Sequence, residues 1–171
     1  MIESLKRRLR GRDIARELCA AVSRRARDPA FYRYYGVADS VDGRFDLVVL
    51  HAWLALERLK ETGEDVLAQN FVDALFAHFD EALREQGAGD IGMSRRMKTM
   101  AGAFYGRLRA YTESGDQTSL AAAIQRNVYR GDSSRVEQSA ALAKYVYDAQ
   151  RSLSDSRLAE GELQFGSIPA P

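Results

Sequence analysis

Residues 42–86 read DGRFDLVVLHAWLALERLKETGEDVLAQNFVDALFAHFDEALREQ. Phe45, Val48, Val49, Ala52, Trp53, Leu56 and Leu59 follow one another by threes and fours, the spacing that puts side chains on one helix face. Asp42 is placed to cap this helix. It predicts a run to about Thr62, where Gly63 stops it. A second helix is predicted over about Asp65–Gln86, with Val66, Leu67, Phe71, Ala74, Leu75, His78, Phe79 and Leu83 on its buried stripe and Gly87 as its stop. So short a link makes the two helices antiparallel neighbours.

The same period extends outward in both directions. Asp13 can cap a helix through Arg27, with Ile14, Leu18, Ala21 and Val22 on one face. Asp28-Pro29 reads as an N-cap followed by proline at the first helical position. It opens a short aromatic turn, Phe31–Tyr35, closed by Gly36. Residues 36–43, GVADSVDG, form a loop, and residues 87–94, GAGDIGMS, form another. A helix over about Met93–Thr112 turns Met97, Met100, Ala101, Phe104, Leu108 and Tyr111 inward. Two more are predicted over Thr118–Arg130 and Ser133 to about Ser154. No stretch alternates apolar and polar residues with β-branched enrichment. The reading is therefore all-α: a single-domain bundle of about six or seven helices. It divides into a basic N-terminal arm (1–11), a helical domain (12–154) and a loosely held tail (155–171) with no clear period.

The 171 residues carry 46% hydrophobic and 29% charged side chains, a globular composition. A lone cysteine, Cys19, cannot form an intramolecular disulfide and points to a reducing compartment. Two histidines, His51 and His78, are too few for a rich metal centre. The formal net charge of +1 is unevenly spread: residues 1–27 hold nine basic and three acidic side chains, +6, which leaves −5 for residues 28–171. Such an arm is attracted to anionic membrane surfaces, RNA or an acidic partner. Lys6, Arg7, Arg8, Arg10 and Arg12 are its candidate membrane contacts, with Ile2, Leu5 and Leu9 able to line one side of a short amphipathic segment. No apolar run follows the early basic residues, so no secretory signal is read. The longest apolar run, Leu47–Leu56, is about half of what a bilayer crossing needs.

Several groupings suggest chemistry. His51 and His78 lie in the apolar runs of adjacent helices and could face each other to hold haem; the plainer alternative is two partly buried histidines with hydrogen-bond partners. Gly102 and Gly106 sit four apart inside a helix, each costing about 1 kcal/mol against alanine. That predicts a close helix neighbour, with packing inside the domain favoured over an intermolecular groove. Phe31, Tyr32, Tyr34 and Tyr35 cannot all be buried by one short helix, and the exposed remainder suits a binding patch. Searches for nucleophile elbows, phosphate loops, zinc motifs and dinucleotide fingerprints find nothing. No catalytic residue or metal ligand is assigned, and an enzyme is not expected.

Tyr35-Gly36-Val37-Ala38-Asp39-Ser40-Val41-Asp42-Gly43-Arg44-Phe45, continuing to Leu50-His51-Ala52-Trp53-Leu54, closely resembles the ubiquinol–cytochrome c chaperone family. Leu83-Arg84-Glu85-Gln86-Gly87-Ala88-Gly89-Asp90 is similar to that family's arginine-to-aspartate turn. Phe104-Tyr105-Gly106-Arg107, with Ala110-Tyr111, is similar to its aromatic-glycine helix. Three motifs in order over about residues 28–150 make the resemblance specific.

The resemblance implies an assembly factor for the respiratory cytochrome bc complex, without a catalytic constellation or a cofactor. Without a recognisable long presequence the chain looks like the shorter bacterial form. The expected partners are cytochrome b, or another subunit of the complex, and transiently the anionic membrane surface. The expected location is cytoplasmic, at the inner face of the cytoplasmic membrane. Phe31, Tyr32, Tyr34, Tyr35, Asp39 and Arg44 are the expected partner contacts. Two alternatives stand beside this: a haem-handling protein using His51 and His78, and an RNA- or ribosome-binding adaptor acting through the arm, without sequence-specific nucleic-acid recognition.

Overall fold

A 21-residue helix, α3 (Val41–Glu61), forms the axis around which the other elements pack. The computed structural model describes residues 2–85 and 90–170, without the side chains of 2–5, 7, 8, 90 and 91. The expectations for the side chains of Ile2, Leu5, Arg7 and Arg8, and for the loop at Gln86–Gly89, lie outside the described residues. From Leu47 through Ala55, every α3 residue but Val48 is buried. A helix apolar on all sides has to be surrounded. Helices α1 (Ile2–Ala26), α4 (Asp65–Glu85), α5 (Asp90–Thr112) and α7 (Val136–Ser152) do this, and α6 (Gln117–Asn127) packs on α7 and α5. With the short α2 (Pro29–Arg33), seven α-helices and no strand are found among the described residues. The fold is all-α and single-domain, as the periodicity predicts.

Helix α4 shows how the pattern becomes packing. Leu67, Phe71, Leu75, Phe79 and Leu83 recur every fourth residue and all are buried. Val66, expected on that stripe, is exposed, because it lies a full residue off the row. Phe79 meets Phe45 of α3 with ring centroids 5.5 Å apart, and Phe76 meets Phe104 of α5 at 5.3 Å. Trp53 stacks obliquely on Tyr111 and donates its indole N–H to Thr112 Oγ1 at 3.0 Å.

Four expectations change. Ser40, not Asp42, caps α3: the Gly43 amide donates to Ser40 Oγ at 3.1 Å, and Asp42 falls in the first turn. Gly43 is required there, since a Cβ would lie 2.0 Å from the Ala38 carbonyl oxygen. The helix begun at Asp13 and the separate arm are instead one helix, α1, because the arm's Lys, Arg and Leu residues are good helix formers. The helix expected over Thr118–Arg130 is Gln117–Asn127, opened by an Asp116–Ser119 capping box. Finally, the tail is not loose. Leu158 and Phe165 are buried, Arg25 Nη2 donates to the Gly166 carbonyl at 2.8 Å, and Tyr35 Oη donates to the Pro169 carbonyl at 2.7 Å. Burying one phenylalanine side chain contributes about 2–3 kcal/mol, enough to fasten a segment without regular structure.

Candidate functional site

The aromatic turn divides by helix geometry. Asp28 caps α2 by accepting from the Ala30 amide at 2.9 Å, as its sequence signature predicts. Phe31 and Tyr35, four apart, then share the inward face and are fully buried. Their rings are closed to a partner in this conformation, which corrects the expectation that they are partner contacts. Tyr32 is half-buried, with its hydroxyl donating to the Ala26 carbonyl at 2.8 Å, and Tyr34 is 56% exposed. Across the turn, Arg44 Nη2 lies 2.8 Å from Asp39 Oδ1, both side chains open to solvent. Arg27, Pro29, Tyr32, Arg33, Asp39 and Arg44 enclose a hollow of about 410 Å³. The structure therefore brings Tyr32, Asp39 and Arg44 to one hollow, with Tyr34 exposed outside its lining. Burial raises the Tyr32 phenol above its ordinary range, and nearby Arg44 opposes that.

His51 is buried among the rings of Phe31, Tyr145 and Phe165. Its Nδ1 lies 2.7 Å from the Leu47 carbonyl, which only accepts, so Nδ1 carries the proton. Nε2 then accepts from the Tyr145 hydroxyl at 2.8 Å, and that hydroxyl accepts from Arg25 Nε at 2.8 Å. Burial holds the His51 pKa down to about 4, with Arg25 pushing the same way. His78 is elsewhere, half-buried beside Cys19 and Ser23 in a hollow between α1 and α4. The two histidines share no contact among the described residues. Both His51 nitrogens are already engaged, so an axial ligand to haem would require dismantling this chain of bonds. No group of three His, Cys, Asp or Glu side chains fit to hold a metal is found among the described residues.

Sequence reading passed over the strongest electrostatic feature. Asp46 is fully buried on α3, with Oδ1 2.9 Å from Arg107 Nε of α5 and Oδ2 2.7 Å from Arg130 Nη1. Arg130 has φ +56°, a conformation uncommon for a long side chain, and it is also bonded to the Asn127 carbonyl. Burial raises the Asp46 pKa, and the two guanidiniums oppose that rise. The signal was available: Asp46, Leu50 and Trp53 share one face, so an acid stood on a buried stripe.

Gly102 and Gly106 also differ from expectation. Both are exposed, and a Cβ on either would meet nothing within 4 Å. No helix among the described residues approaches them. On α1, Lys6, Leu9, Arg10 and Arg12 are exposed. No helix among the described residues is long and apolar enough to cross a membrane.

The fold and the site define a helical domain with charged, hollowed outer faces. The comparisons with known proteins make that class specific. Residues 33–163 match the family model described as ubiquinol-cytochrome C chaperone, and the chain belongs to that family. It is similar to ubiquinol-cytochrome c reductase complex assembly factor 1 of Drosophila melanogaster, 30% identical over 74% of this chain and 52% of that protein. The Xenopus laevis protein of the same name is 23% identical over 68% of this chain and 60% of the relative, and the Mus musculus protein 25% identical over 81% and 48%. The chain thus spans about half to three-fifths of the length of these relatives. The crystal structure of the Cbp3 homolog from Brucella abortus is similar over 98% of both chains, with 35% identity and a TM-score of 0.80.

Proposed function

We propose that this protein is an assembly chaperone that binds newly made cytochrome b at the membrane surface and assists maturation of the cytochrome bc complex. Membership of the chaperone family carries this reading. The hollow of Tyr32, Asp39 and Arg44, together with the exposed Tyr34, is its partner contact: tyrosine rings and a solvent-facing ion pair offer apolar area and polar anchors. The work is done by binding and release. A buried interface of about 1,000 Å² or more suffices for a specific complex that still dissociates.

The outer face of α1 supplies peripheral attachment. Lys6, Arg10 and Arg12 flank the half-exposed Leu9, and each basic residue close to an anionic bilayer is worth about 1 kcal/mol. Crosslinking from Tyr34 or Arg44, in cells that make the bc complex, tests the partner face. Cytochrome b is the expected adduct at both positions, and its absence from both rejects the face.

A further inference from the structure

A second surface is built for a different ligand. Between the start of α3, the end of α4 and α5 lies a groove of about 490 Å³. Phe45, Leu83 and Met100 give it an apolar floor. Its rim is positive. Arg107 lies over the Phe45 ring, 5.5 Å from the centroid, and is fixed by Asp46 Oδ1, while Arg130 is fixed by Asp46 Oδ2. Arg95 and Arg96 also line the groove; both are exposed, and neither side chain has an ion pair or hydrogen bond among the described residues. Four guanidiniums against Asp42 and Asp46 leave the groove at +2.

We propose that this groove binds an anionic phospholipid, its phosphate on the Arg95 and Arg96 guanidiniums and its first acyl methylenes on Phe45, Leu83 and Met100. Guanidinium forks match phosphate oxygens in pairs. The volume is within the range of small-molecule sites. Arg107 and Arg130, held by a buried carboxylate, arrive preorganised, so binding orders only two side chains. The exposed face of α1 attracts any anionic surface; this groove selects a headgroup and its chain together.

Calorimetry with dihexanoyl phosphatidylglycerol, dihexanoyl phosphatidylcholine and inorganic phosphate, on the full chain, tests the assignment below the concentration at which these lipids form micelles. Phosphatidylglycerol should bind at least about ten-fold more tightly than either other probe, because phosphatidylcholine brings a trimethylammonium against a net positive groove and inorganic phosphate brings no methylenes for its floor. Arg95→Glu with Arg96→Glu should abolish that preference and leave the melting temperature in place, since both side chains are exposed and unpaired. Lys6→Gln, Arg10→Gln, Arg12→Gln should bind the monomeric lipid as the unaltered chain does, which separates the groove from α1. Equal affinity for the two lipids overturns the proposal, as does phosphate binding as tightly as phosphatidylglycerol. It is also overturned if an amphipathic peptide bearing a row of glutamates binds more tightly than the lipid and displaces it. None of these results bears on the Tyr34 crosslinks.

Discussion

Protonation of His51 should be a principal cause of acid destabilisation. The imidazole is fully buried and its pKa falls from an ordinary 6.5 to about 4. A proton added at Nε2 meets the Tyr145 hydroxyl, which now donates to that nitrogen and already accepts from Arg25. The hydroxyl proton would have to turn away, and a second positive charge would sit close to the Arg25 guanidinium. Because the folded pKa lies below the unfolded one, the unfolded chain takes up the proton first. The stability is present above pH 6.5 and lost as pH falls toward 4. A shift of that size corresponds to a loss of about 3 kcal/mol once both states are protonated, and about 2 kcal/mol by pH 5. Urea unfolding of the unaltered chain and of His51→Phe, between about pH 7.5 and about pH 5, isolates the contribution, because other carboxylates titrate in both. The unaltered chain should lose about 2 kcal/mol more than the variant over that interval. Ring-nitrogen NMR of the unaltered chain reads the pKa directly. Equal losses, or a His51 titration near its ordinary value, would refute the reasoning.

Phe165→Ala should cost about 3 kcal/mol in urea unfolding and, by opening the cover over His51, move the histidine's titration upward in the NMR experiment. Asp46→Ala should cost about 3 kcal/mol, because it leaves the mostly buried Arg107 guanidinium without its carboxylate, whereas Asp46→Asn should cost less by keeping a hydrogen-bond acceptor; equal melting temperatures for the two would contradict this. Gly102→Ala and Gly106→Ala should each raise stability by up to about 1 kcal/mol, since a methyl group there enters open space in a helix; a loss of stability would show a close neighbour after all.

The helices were legible because burial imposes a period. In α4, Phe71, Leu75 and Phe79 cannot share a core unless they repeat every turn, so position in the chain reports position in space. The tail carries no such constraint: Phe165 is held by His51 and Gly166 by Arg25, contacts about 115 and 140 residues distant that no local pattern encodes. The candidate face was legible in part. Four aromatics in five residues announced a surplus, but which pair turns inward depends on the phase of α2 against α3, fixed by the Asp28 cap. Gly102 and Gly106 misled for a related reason. A missing side chain shows that a cost is accepted, and says nothing of which side of the molecule accepts it.

The turn carrying Tyr34 and Asp39 is clamped at several points. Gly43 runs directly beneath the Ala38 carbonyl, the Val37 amide reaches the Phe31 carbonyl at 3.1 Å, and Tyr129 Oη donates to the Tyr35 carbonyl at 2.7 Å. A surface so braced behaves as a template. A partner docking there would bear nearly all of the ordering cost, so a segment already held in its bound shape would bind more tightly than a malleable one.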